Sequence, residues 1–149
     1  MNLKELQAKI IKLAHTNSDI EVLWLYGSQA KGTAHDKSDI DLAVVFKKWE
    51  KDPLERRLRP ELLAIEWLRA LSLKEGDLSI IDMTIAPIPL AMSVLQSGHA
   101  LLCKNKSRQY REQQRIMSIW EIDYLYHYQN KQKPIYFQCK NTWMNYRSS

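Results

Sequence analysis

The stretch GSQAKGTAHDKSDIDL, residues 27–42, decides how this chain is read, because it places two of the chain's four glycines in a polar segment between two apolar ones. Before it, IEVLWLY (20–26) is β-branched, aromatic and almost wholly apolar, the composition of a strand covered on both faces. Behind it, IDLAVVF (40–46) is a second strand of the same kind. Asp39 and Asp41 stand two residues apart at the start of that second strand, so both carboxylates project from one face. Adjacent carboxylates repel, and burying either without a partner is costly, so the pair is tolerable when a cation sits between them or water reaches both. Hard oxygen donors of this kind suit magnesium or manganese bound together with a nucleotide's phosphates. Alone, the pair is more simply read as an exposed strand start. Gly27 and Ser28, directly after a buried strand, offer backbone N–H groups and a hydroxyl with no bulk in the way, as a phosphate cradle does, although the same dipeptide serves an ordinary turn. Gly32 lets the connection bend, Lys31 is placed to reach a phosphate oxygen, and His35 reads as a surface loop residue.

Outward from this stretch, Leu3, Leu6, Ile10, Leu13 and Ala14 recur at spacings of three and four and predict a first helix, broken at Asn17, Ser18 and Asp19. Leu54, Leu58, Leu62, Ile65, Leu68 and Leu71 carry a helical period after Pro53, with Gly76 just beyond. LSIIDM (78–83) is a third strand, Pro87 to Gln96 a short helix stopped by Gly98, and HALLCK (99–104) a fourth strand or extended segment. From Ser107 to Tyr128, the residues Tyr110, Ile116, Ile119, Trp120, Tyr124 and Tyr128 supply the apolar side of a last helix, while residues 131–149 show no period. The order of elements implies an α/β (α+β) domain with a small mixed sheet flanked by helices.

Hydrophobic residues at 45% and charged residues at 26% describe a folding chain of ordinary composition. No apolar run is long enough to span a bilayer and the N-terminus carries charges throughout, so a cytoplasmic location is expected. Cys103 and Cys139 stand far apart without a CxxC pair, which argues against a zinc site and a disulfide framework. The net charge of +5 owes much to the basic residues of the last 46 positions, where a solvated face is the simpler reading. An RNA-binding sheet needs exposed aromatic and basic residues, whereas these strands are apolar on both faces.

Gly27-Ser28, ten intervening residues, then Asp39-Ile40-Asp41, within Ser38-Asp39-Ile40-Asp41-Leu42, together resemble the signature of the polymerase β-like nucleotidyltransferase superfamily and its minimal nucleotidyltransferase (MNT) domains. The resemblance runs from about Val22 to Leu102, leaving residues 1–103 as a nucleotidyltransferase core and 104–149 as a C-terminal helix and tail. It implies a polymerase β-like fold, with Asp39 and Asp41 holding two Mg2+ ions and Gly27, Ser28 and Lys31 binding the nucleotide. It also implies a third carboxylate on a later strand, which falls on Asp77, with Asp82 as the alternative on the opposite strand face.

Many MNT proteins of this size are antitoxins that transfer AMP from ATP to a tyrosine of a HEPN-family ribonuclease toxin, which they thereby silence. The resemblance therefore implies an AMP-transferring antitoxin with ATP as substrate and a HEPN toxin as partner. The aromatics Trp120, Tyr124, Tyr126, Tyr128, Tyr136 and Trp143 are suited to an interface. Two other readings share the motif. A small aminoglycoside-type nucleotidyltransferase needs an acidic acceptor pocket, to which Glu50, Glu55, Glu61 and Glu66 are the candidates. A non-catalytic module would neutralise a toxin by masking alone.

Overall fold

The structure, a computed structural model, describes residues 2–31 and 39–125, with the side chains of Lys31, Tyr124 and Leu125 left out. Gly32, His35 and Ser38, and Tyr126, Tyr128, Tyr136, Cys139 and Trp143, lie outside the described residues.

Helix α1 (Leu3–Thr16) begins where the Asn2 side chain accepts the Glu5 N–H at 2.8 Å, and it turns Leu6, Ile10 and Ala14 inward. Strand β1 (Ile20–Tyr26) is buried along its whole length and leads straight into a five-residue helix, α2 (Gly27–Lys31). Strand β2 (Ile40–Phe46) is followed by α3 (Pro53–Ala70), whose first N–H groups, of Leu54 and Glu55, are capped by Asp52. Then come β3 (Leu78–Asp82), α4 (Ile88–Ser97), β4 (His99–Cys103) and α5 (Lys106–Ile119), with a wider π-helical turn over Trp120–Leu125.

The strands lie in the order β3-β2-β1-β4. β1 runs antiparallel to β2 and β4, while β2 and β3 are parallel, which α3 permits by crossing back between them. The mixed sheet expected from element order is thus present. Strand alternation divides the core in two. Leu23, Leu25, Ile40, Leu42, Val44, Leu78 and Ile80 pack with α1 and α3 on one face. Val22, Trp24, Tyr26, Ala43 and Val45 pack with Ala91, Met92 and Val94 of α4 and Ile116 of α5 on the other.

The leucine series that announced α3 meets the core only at its C-terminal end, where Leu71 is buried and Leu68 packs against it. Pro60, Leu63, Ala64 and Trp67 face the sheet, whereas Leu54, Leu62 and Ile65 are 62%, 57% and 46% exposed. Tyr110 of α5 is also exposed, and Ile116 alone of the aromatic and aliphatic series in that helix is fully enclosed among the described residues.

Asp82, the alternative third carboxylate, is spent on the fold. Its side chain lies on the α3 side of the sheet, where Oδ1 accepts the Thr84 N–H at 3.0 Å and the Thr84 hydroxyl at 2.7 Å, and Arg59 Nη2 stands 3.8 Å from Oδ2. Asp82→Ala would leave Arg59 without its counter-charge, so stability should fall by about 3 kcal/mol. Urea unfolding reads that loss, and activity per folded molecule should be unchanged, since Asp82 faces away from Asp41.

Candidate active site

The site forms where three strands come level. In the antiparallel register Tyr26 lies opposite Asp41, and in the parallel register Asp41 lies beside Ser79, so Tyr26, Asp41 and Ser79 form one row across β1, β2 and β3. Alternation places that row on the α4 face: Ala43 and Val45 follow Asp41 into the second core cluster, while Leu42 and Val44 enter the first. Asp39, exposed, precedes β2 by one residue and shares the face of Asp41.

Gly27 closes this row from above. It holds φ +74°, in the region where a Cβ is strained, and a Cβ built there would collide with Asp41 Oδ2. Only glycine lets the backbone that leaves β1 lie directly on the Asp41 carboxylate. Gly27 and Ser28 open α2, so their N–H groups stand at its N-terminal end beside the carboxylate pair. The far end of α2 is tied down by His99, whose Nε2 donates to the Ala30 carbonyl oxygen at 2.9 Å. Gly98, just before it, allows a second close approach, because a Cβ there would meet the carbonyl oxygens of Val94 and Leu25.

Asp77 stands at the edge of the row, just before β3. Its carbonyl oxygen accepts the Ile40 N–H at 2.9 Å, which sets it beside Asp39, but its Oδ2 accepts the Lys74 N–H at 2.9 Å within its own turn. Among the described residues no three of His, Cys, Asp and Glu come together as a metal-holding group. Asp77 thus sits next to Asp39 at the strand ends, with one carboxylate oxygen taking the Lys74 N–H of the turn before β3. Lys31 is placed in α2, with its side chain undescribed. Glu55, Glu61 and Glu66, three of the four acids considered for an acceptor pocket, are exposed on α3, behind the sheet from Asp41.

The electrostatics fit a cation. Burial pushes the Asp41 carboxyl above its ordinary range and the Asp39 charge pushes it further; burial, then Asp41, likewise raises the Tyr26 hydroxyl. A raised folded-state value means that Asp41 favours folding only when protonated: its contribution is lost as pH rises from the ordinary carboxylate range through the raised value. Asp41→Asn should therefore raise the melting temperature of the metal-free protein at neutral pH. That gain should shrink as the pH is lowered into the carboxylate range, which thermal scans across pH would show. Two oxygen-donor groups whose mutual repulsion a divalent ion would relieve are an appropriate donor set for magnesium.

The row involves residues that sequence reasoning passed over. Tyr26 was legible only as the last apolar residue before glycine, Ser79 only as a polar residue in a buried strand, and His99 as the first residue of β4. Their convergence follows from strand register, which spacing along the chain does not contain.

Residues 8–107 match the family model described as polymerase beta, nucleotidyltransferase. The chain belongs to that family. Within it, the Protein adenylyltransferase MntA of Shewanella oneidensis is 33% identical over 94 residues. The alignment covers 62% of this nucleotidyltransferase and reaches over only 62% of that relative's length. A crystal structure described as a toxin-antitoxin with AMP-PNP superimposes with a TM-score of 0.62 at 26% identity, covering 84% of this chain and 90% of that one. A mutant of the toxin-antitoxin MntA-HpeT superimposes equally well, with a TM-score of 0.62 at 25% identity and the same coverage of 84% and 90%. The four-stranded mixed sheet and its helices are thus the polymerase β-like nucleotidyltransferase fold. Among the described residues no helix is long and apolar enough to cross a membrane.

Proposed function

We propose that this nucleotidyltransferase is an antitoxin that transfers AMP from ATP to a tyrosine hydroxyl of a partner HEPN-type ribonuclease toxin in the cytoplasm. The observation that carries the reading is the packing of the Gly27 backbone on the Asp41 carboxylate, with Asp39 alongside, which joins a phosphate-binding turn to a cation-binding pair. The likeness to an adenylyltransferase and to a toxin-antitoxin structure with AMP-PNP supports the choice of nucleotide and acceptor.

In this proposal Asp39, Asp41 and Asp77 would hold Mg2+, which would supply charge neutralisation for the triphosphate and polarisation of the α-phosphoryl group. Gly27 and Ser28 fix the outer phosphates from the backbone side, with Lys31 as a further phosphate contact. Gly27 and His99 hold α2 at both ends, so the triphosphate is presented in one orientation to the acceptor. The acceptor oxygen bonds to the α-phosphorus, the bond to the bridging oxygen breaks, and pyrophosphate leaves with its electron pair. Asp77, beside Asp39 at the strand ends, is the candidate to take the hydroxyl proton. Residues 104–149 are proposed as the partner-binding extension of the core, with α5 anchored to it through Ile116.

The aminoglycoside-type alternative finds no support in the placement of Glu55, Glu61 and Glu66 behind the sheet. Incubation of the co-purified complex with ATP labelled on either the α- or the γ-phosphate tests the proposal. Label from the α-position alone should appear in the partner. Label from the γ-position, or none in a partner that still binds, would contradict it.

A further inference from the structure

Helix α3 carries a second apolar side that the core does not cover. Leu54, Leu58, Leu62 and Ile65 follow one another at helical spacing and form a stripe along the side opposite Leu63, Ala64 and Trp67, which meet the sheet. Leu54, Leu62 and Ile65 are exposed and Leu58 is half-buried. The charges on this side are arranged about its centre. Glu55 stands seven residues before Leu62 and Arg69 seven residues after it, about two turns in either direction, and both are exposed. Each charge also suits its own end of the helix, with the acid in the first turn and the base in the last.

We propose that this stripe is the interface between two copies of the chain, whose α3 helices cross antiparallel at Leu62. Around a two-fold axis at that point Leu62 meets its counterpart, and Glu55 of each copy comes level with Arg69 of the other, so opposite charges flank the apolar centre twice. A parallel pairing would instead set acid against acid and base against base. Removal of the leucines from water supplies the attraction, and the charges fix direction and register. One pair of 18-residue helices, each about 27 Å long, buries less than the roughly 800 Å² per partner of a standard interface, so the dimer population follows protein concentration. Helix α3 packs on the sheet face away from Asp41, so pairing leaves both carboxylate sites open and is independent of the reaction they carry out.

Sedimentation velocity of the full chain alone, run at increasing concentration, tests the interface. The unaltered chain should pass from monomer to dimer. Leu62→Glu sets two like charges together on the axis and should leave a monomer at every concentration, with an unchanged circular dichroism spectrum. Glu55→Arg alone, or Arg69→Glu alone, should weaken dimer formation by about tenfold, since each replaces two ion pairs by two like-charge pairs. The double exchange should restore the dimer, which a general effect of altered charge on solubility would not do. A monomer at all concentrations in the unaltered chain, a dimer undisturbed by Leu62→Glu, or a double variant no better than either single one would overturn the assignment. A dimer that survives in Leu62→Glu while the co-purifying partner is lost would overturn it as well, by giving the stripe to that partner.

Discussion

Asp41→Asn should reduce AMP transfer by about three orders of magnitude or more while the chain stays folded. The size follows from what the carboxylate is asked to supply: holding the ion that offsets charge on the reacting phosphoryl group is worth several kcal/mol, and each 1.36 kcal/mol is about a factor of ten in rate. The fold should tolerate the change, since burial and Asp39 already disfavour the charged form of Asp41. Loss of rate and gain in stability at neutral pH are therefore expected together, a combination that a merely structural aspartate does not produce. Single-turnover transfer and thermal melting on the same preparation check both halves. A variant that loses rate and melts earlier would point to a structural role for Asp41, and one that keeps its rate would remove it from the site.

Gly27→Ala should be nearly as damaging, through geometry alone. The left-handed backbone at φ +74° disfavours any Cβ by about 1–2 kcal/mol, and the new methyl group would occupy the space of Asp41 Oδ2. Either Asp41 turns away from its position or the turn lifts off β2, and both separate the phosphate cradle from the carboxylates. Transfer should fall by about a hundredfold or more, because small displacements of reacting groups cost about that much. Gly76→Ala provides the control. Gly76 has φ +91° but nothing within 4 Å of a built Cβ, so its substitution carries the backbone penalty without placing a methyl group against Asp41. At a temperature where both variants are folded, transfer should fall far less there than in Gly27→Ala. Equal activity losses in the two variants would show that strain, and not the contact with Asp41, is what Gly27 serves.

The sequence reveals the strands clearly because each is a short apolar run closed by polar or glycine residues, and their observed bounds differ little from those expected. It reveals helices by period but not which side they bury. Leu54, Leu62 and Ile65 of α3 keep helical spacing and face outward, while Trp67 and the helix-interior Pro60 supply the packing. Apolar period identifies the element, and the sheet it meets decides the face. The site behaves similarly. Gly27, Asp39 and Asp41 were legible because their chemistry requires fixed residue types at fixed spacing around one β-turn-β unit. How these residues sit relative to β3 was not, because it depends on how β3 slides against β2. With Ile40 beside Leu78, the residue level with Asp41 is Ser79, two positions beyond Asp77. Asp82, the other acid of that strand, is separated from the site by alternation and held by Arg59 and Thr84. Parity along β3 thus sets Asp82 on the face away from Asp41, and register sets Ser79 beside Asp41 and Asp77 beside Asp39.

The most direct test of protein adenylylation is the intact mass of the partner that co-purifies with this chain, measured after incubation with magnesium and each of the four nucleoside triphosphates. The partner should gain the mass of an AMP unit, or a whole multiple of it, with ATP. Fragmentation should place that mass on tyrosine, and Asp39→Asn or Asp41→Asn should prevent the gain. A partner that stays bound and inhibited at unchanged mass would contradict catalysis and leave masking as the means of neutralisation.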